Sequence, residues 1–163
     1  VAETRAIEID RKYILNDNTL FSTTEEYKTL RTNIIFSLPE NECKVVGVIS
    51  SNIAEGKSIN CLNLAIAFAQ TSAKVLILDC DLRLPRCSRL LNIKATPGIS
   101  NILAGMNKIE DAIQTVSHYG IDALMSGDIP PNPSELLGSA RMGKLLDELK
   151  KDYDYIFVDL PPV

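Results

Sequence analysis

The stretch Val45–Ser58, VVGVISSNIAEGKS, constrains this chain more than any other. An apolar run of Val45, Val46, Val48 and Ile49 stops at Ser50–Ser51. A loop then leads to Gly56-Lys57-Ser58, and a helical pattern starts at once. A strand feeding such a loop leaves backbone N–H groups pointing inward, and the new helix adds its positive end, so the turn cradles phosphate oxygens. This is the layout of a P-loop. It predicts that Ser51, Asn52, Ile53, Ala54, Glu55, Gly56, Lys57, Ser58 and Ile59 bind nucleotide. Lys57 is expected to reach the β- and γ-phosphates and the Ser58 hydroxyl to hold Mg²⁺. The usual pattern has a glycine five residues before Gly56; Ser51 stands there instead.

Acidic residues follow two further apolar runs. Lys74–Asp79, KVLILD, reads as a strand buried on both faces and continues into Cys80-Asp81-Leu82-Arg83. Tyr155–Asp159, YIFVD, is a second such strand, followed by Leu160-Pro161-Pro162. Open α/β sheets bind ligands at the carboxyl ends of their strands, where Asp79, Asp81 and Asp159 then collect. An apolar strand ending in Asp is the Walker B layout, in which the carboxylate orients Mg²⁺ or its waters. Of Asp79 and Asp81, one carboxylate is suited to hold Mg²⁺ and the other to take a proton from an attacking hydroxyl. These elements predict an α/β fold, a P-loop NTPase-like, mostly parallel sheet with helices on both faces.

The rest of the chain fits around that sheet. Val1–Leu20 is polar with a turn signal at Asn16–Asn18, and reads as an arm or linker. Thr23 to Glu26 has capping-box spacing and predicts a helix to about Phe36, with Tyr27, Leu30, Ile34 and Ile35 inward. Glu25, Lys28 and Arg31 lie along one side of it, as a solvated face or as a surface for pairing subunits. Pro39–Glu42 reads as a turn and Ser58–Thr71 as a core helix. Arg83–Pro97 reads as a basic loop. Gly98–Ala104 and Lys108–Thr115 read as short helices, Ile121–Met125 as a strand, Ser134–Leu137 as a short helix and Ser139–Lys150 as an amphipathic one. With 17 Lys and Arg against 21 Asp and Glu, the net charge of −4 argues against nucleic-acid binding. No apolar run approaches the roughly 20 residues of a membrane span. The four cysteines and the single His118 make no zinc set, so packed, reduced thiols are expected.

At VLILDCDLRLP the chain resembles the bacterial tyrosine kinases of capsule and exopolysaccharide systems, in the branch of P-loop ATPases that includes the MinD and ParA types. Leu76–Arg83 matches their second Walker-like motif, apolar residues followed by Asp-x-Asp-x-Arg. Ser50–Ser58 resembles their Walker A, with Ile53-Ala54 in place of Pro-Gly. Tyr155–Pro162 resembles their Walker B, with Leu160 in place of Thr. EEYKTLRTNIIFS, TPGISNILAG and PPNPSELLGSARM extend the likeness over residues 23–163, a kinase domain after an arm of residues 1–22.

The resemblance implies protein-tyrosine (auto)phosphorylation with ATP and Mg²⁺. It assigns charge neutralisation to Lys57, proton acceptance to Asp79, metal support to Ser58, Asp81 and Asp159, and loop ordering to Arg83. It implies a ring-type homo-oligomer through Glu25, Lys28 and Arg31, where Lys28 occupies the middle place of Glu-x-x-Arg-x-x-Arg. A membrane-embedded polysaccharide co-polymerase or activator and a cognate tyrosine phosphatase are the implied partners, at the cytoplasmic face of the plasma membrane. The family continues beyond Walker B with further strands and a tyrosine cluster, so the sequence reads as truncated there, with an exposed sheet edge expected. Two other readings remain open. A partition-type ATPase carries an extra Lys near the start of the loop, where this chain has Ser50, Ser51 and Asn52. A nucleotide-gated scaffold would assemble with little catalysis.

Overall fold

A computed structural model describes residues 2–40 and 42–163. Asn41, in the turn expected at Pro39–Glu42, lies outside the described residues, as does Val1. In chain order the elements are α1 (Ala2–Arg11), α2 (Phe21–Ser37), β1 (Lys44–Val48), α3 (Lys57–Ala69), β2 (Val75–Asp79), α4 (Cys87–Leu91) and α5 (Ile99–Leu103). They continue with α6 (Ile109–Ala112), β3 (Gln114–Val116), β4 (Ile121–Leu124), α7 (Pro133–Leu137), α8 (Ala140–Leu149) and β5 (Tyr155–Asp159).

The strands form one sheet in the order β1-β5-β2-β4-β3, parallel except for the β3–β4 pair. The continuous apolar runs of β2 and β5 send successive side chains to opposite faces, and both faces are covered, as expected. On one face Val75, Ile77 and Phe157 pack with α3, α4 and the Ile14–Leu15 segment. On the other, Leu76, Leu78, Ile156 and Val158 pack with α5, α6 and α8. Phe68 of α3 sits against Tyr155 and Phe157 with ring centroids 4.5 and 5.0 Å apart, which fixes the helix to the middle of the sheet. Helix α8 starts as its sequence suggests, with Ser139 as N-cap accepting from the Met142 N–H.

Four stretches differ from the sequence reading. The polar arm is a docked helix: α1 packs on α4, and the segment after it buries Ile14 and Leu15. Its anchor is Asn63, buried in α3, whose Oδ1 accepts from the Leu15 N–H and whose Nδ2 donates to the Tyr13 carbonyl, both at 2.8 Å. The turn at Asn16–Asn18 forms as expected, with the Asn18 N–H donating to Asn16 Oδ1. That turn delivers the chain into α2 early, so the helix begins at Phe21 without a side-chain cap and the Thr23–Glu26 spacing goes unused. The expected Lys108–Thr115 helix stops at Ala112, because Gln114–Val116 gains a ladder with β4. The basic loop contains α4, whose Cys87, Leu90 and Leu91 are buried.

Replacing Asn63 with Ala strands the Leu15 N–H and the Tyr13 carbonyl together. The expected cost is about 1–3 kcal/mol in denaturant unfolding, with faster amide exchange confined to the segment before α2. Unchanged exchange at Leu15 would show that Asn63 does not hold the arm.

Candidate active site

The site forms where β1, β5 and β2 end side by side. Val48 is in register with Asp159, and Asp159 with Asp79. Beyond the ladder the chains stay tied, the Leu160 N–H donating to Val48 and the Cys80 N–H to the Asp159 carbonyl. The P-loop leaves β1 on one side of Asp159 and the Asp79–Arg83 segment leaves β2 on the other. The topology thus brings Lys57, Ser58, Asp79, Asp81 and Asp159 to one sheet edge.

Their contacts are direct. Lys57 Nζ lies 2.5 Å from Asp159 Oδ1 and 3.8 Å from Asp81 Oδ2, with its side chain almost wholly buried. Ser58 Oγ donates to Asp159 Oδ2 at 2.6 Å. Asp79 is fully buried and accepts from the Cys87 N–H at 3.1 Å and the Asp81 N–H at 3.3 Å. Asp81 Oδ1 accepts from the Leu84 N–H, which curls the segment back after β2. Burial, and next the repulsion of Asp159, push the Asp79 carboxyl up to about 7.

The P-loop is stiffened from within. Glu55 folds back so that its carboxylate accepts from the N–H groups of Ser51 and Asn52 and from the Asn52 amide. These bonds hold its pKa below the ordinary carboxylate value, the Asn52 side chain first. Gly56 takes φ +79°, which glycine adopts freely; Ala54 takes φ +63°, which costs an L-residue about 1 kcal/mol. A cavity of about 410 Å³ opens over the loop, lined by Gly56, Lys57, Ser58 and Asp81 and, farther out, by Ile7 and Arg86. Asn52, Ile53, Ala54 and Ile59 also line it; Ser51 and Glu55 do not. Arg83 also lines the cavity, and its guanidinium donates to Ser134 Oγ at 3.1 Å.

The donor chemistry suits a hard divalent cation. Ser58 and Asp159 offer oxygen atoms beside one another, and Asp79 and Asp159 crowd two carboxylates together. Cys87, passed over as a packed thiol, donates its S–H to Asp159 Oδ2 at 3.4 Å and shares the cluster with Asp79. Burial raises its pKa, so it stays a neutral donor and not a Mg²⁺ ligand. Nothing in its spacing marked it in the sequence. Glu25, Lys28 and Arg31 lie apart from the cavity on α2. Lys28 pairs with Glu25 at 2.8 Å, and Arg31 donates to the Ala67 carbonyl.

Residues 43–163 match the AAA domain family. The chain is 40% identical over 140 residues to the tyrosine-protein kinase YwqD of Bacillus subtilis, covering 86% of this chain and 59% of that protein. It thus spans less than two thirds of that relative. The kinase domain of Escherichia coli tyrosine kinase ETK superposes with a TM-score of 0.85 at 36% identity, covering 90% of this chain and 57% of that one. The septum site-determining protein MinD of Pyrococcus horikoshii, solved with Mg-ADP, gives 0.64 at 25% identity, covering 74% and 50%.

Because the folded pKa of Asp79 lies above its unfolded value, the folded state holds the extra proton between about pH 4 and pH 7. The stability this proton carries is complete below that window and is lost as pH rises through 7. In nucleotide-free buffer with chelator, Asp79→Asn should therefore raise the melting temperature more at pH 8 than at pH 5. An equal gain at both would mean that Asp79 is not held protonated.

Proposed function

Because this chain belongs to the bacterial tyrosine-kinase family, we propose that it transfers the γ-phosphoryl group of ATP to the hydroxyl of a protein tyrosine. The single observation behind this reading is the convergence of Lys57, Ser58 and Asp81 on one cavity edge, with Asp159 and Asp79 buried beneath.

The residues divide the work as follows. The N–H groups of residues 54–59 bind the phosphates. Lys57, which pairs with Asp159, would share its charge with the phosphate oxygens of ATP. Ser58, Asp79, Asp81 and Asp159 are the residues that would hold Mg²⁺, which when bound would supply positive charge to offset that of the transferring group. A tyrosine hydroxyl has a pKa of about 10, so its proton needs an acceptor as the new bond forms. We assign that role to Asp79 in its ionised form, which the charge of a cation bound beside Asp159 would favour. Asp81 walls the cavity and keeps the approach polar.

The resemblance also supports a setting. We propose a ring-type homo-oligomer that pairs through Glu25, Lys28 and Arg31, works with a membrane-embedded polysaccharide co-polymerase and is reset by a tyrosine phosphatase. Control of capsule or exopolysaccharide synthesis at the cytoplasmic face of the plasma membrane is the proposed outcome. Among the described residues no helix is long and apolar enough to cross a membrane. The likeness to MinD keeps a second reading, an ATPase that releases phosphate to water.

Incubation with MgATP and a tyrosine-rich peptide should yield phosphotyrosine; phosphate release to water alone would favour the ATPase. Lys57→Met should weaken ATP binding at least about tenfold, and unchanged affinity would remove the nucleotide site. Asp79→Asn should lower kcat about a hundredfold or more with ATP affinity kept. A larger kcat loss in Asp81→Asn than in Asp79→Asn would move the base to Asp81, the carboxylate that already faces the cavity.

A further inference from the structure

The cavity extends past the P-loop and the acidic strand ends. It is walled by Ile7 of α1, Leu84 and Pro162, with Arg86 at its rim. Although the chain carries net charge −4, Arg83, Arg86 and Arg89 fall within seven residues at this mouth. Arg86 pairs with Asp10 at 2.5 Å, the two side chains 35% and 26% exposed. Asp10 stands three residues after Ile7, so one face of α1 presents an apolar group and then a carboxylate to the rim. The helix is anchored from its C-terminal end, where Arg11 donates to the Arg89 carbonyl and to Asn92 Oδ1. Neither Asp10 nor Arg86 has a part in the phosphoryl-transfer machinery above.

Resting on the kinase reading, we propose that Arg86 selects acceptor segments carrying an acidic residue beside the tyrosine, and that Asp10 occupies this carboxylate subsite from within the chain. The apolar wall takes the tyrosine ring. The segment flanking it then crosses the rim, where a carboxylate displaces Asp10 from Arg86. A guanidinium recognises a carboxylate with two parallel N–H donors, which an amide of the same shape cannot match. Because Arg86 is partly exposed, the preference is moderate and salt-sensitive.

The test uses short fluorescent peptides in which Phe replaces Tyr, flanked either by Asp and Glu or by Asn and Gln, titrated onto the chain. The parent should bind the acidic peptide about threefold to tenfold more tightly than its amide counterpart at low salt. R86Q should abolish the preference and leave ATP affinity unchanged. D10N should strengthen acidic-peptide binding by releasing Arg86. The opposite signs separate recognition from mere loss of α1 docking, which would move both variants the same way. A preference that survives in R86Q, or its absence in the parent, overturns the proposal. The tyrosine-containing peptides with MgATP test the reaction separately. Phosphotyrosine without an acidic preference overturns the Arg86 assignment alone. An acidic preference without phosphotyrosine overturns the kinase reading and supports the recognition site.

Discussion

Asp159 is the group on which this arrangement turns. Its two oxygens accept from Lys57, Ser58 and Cys87, and its charge raises the proton affinity of Asp79 across the β2–β5 register. A fully buried carboxylate is costly unless paired and hydrogen-bonded, and here every partner comes from a segment a long way off in sequence. Lys57 is 102 residues away and Cys87 is 72. One ionised side chain thereby ties the P-loop, the start of α4 and the end of β5 together. In the proposed reaction, moving Lys57 toward phosphate would remove the chief counter-charge of that cluster, so a cation beside Asp159 and anions beside Lys57 would enter most favourably together.

That cluster stays in place because β5, the last strand in sequence, inserts between β1 and β2. The insertion costs loop-closure entropy, since β1 and β5 are joined only through the whole intervening chain. What offsets it is burial on both faces: Ile156 and Val158 on one side, Phe157 against Phe68 on the other. Helix α3 serves both ends of the design. Its first turn carries Lys57 and Ser58 to the site, while Phe68, three turns later, fastens the helix to β5 below. A P-loop helix that is apolar over most of its circumference is therefore expected from this geometry.

The sheet and the site were legible in the sequence for the same reason. Val75–Asp79 and Tyr155–Asp159 are continuous apolar runs ending in Asp, and strand ends of a parallel sheet share one edge. No long-range knowledge beyond that rule was needed to expect Asp79 near Asp159. What escaped was decided by contacts that local pattern does not carry. The stretch up to Leu20 looked like a solvated arm because its apolar residues are sparse; Asn63, 48 residues beyond Leu15, holds it down. Gln114–Val116 has helix-compatible neighbours and becomes a strand through β4. Cys87 gave no spacing signal, since its role depends on a carboxylate delivered by β5.

Helix α2 shows how weakly local pattern binds when burial is small. None of its residues is buried, and Leu30, expected inward, is 43% exposed. Polar contacts attach it to α3: the Tyr27 hydroxyl donates to Asn60 Oδ1 at 2.7 Å and Arg31 to the Ala67 carbonyl. Both partners lie on the P-loop helix, Asn60 one turn from Gly56, whose carbonyl its amide also holds. This attachment is shallow, with Tyr27 and Ile34 half-buried against the core cluster. It also divides the charged row on α2. Arg31 is committed within the chain, whereas Glu25 and Lys28 neutralise one another at the surface, a pair that exchanges partners at little cost.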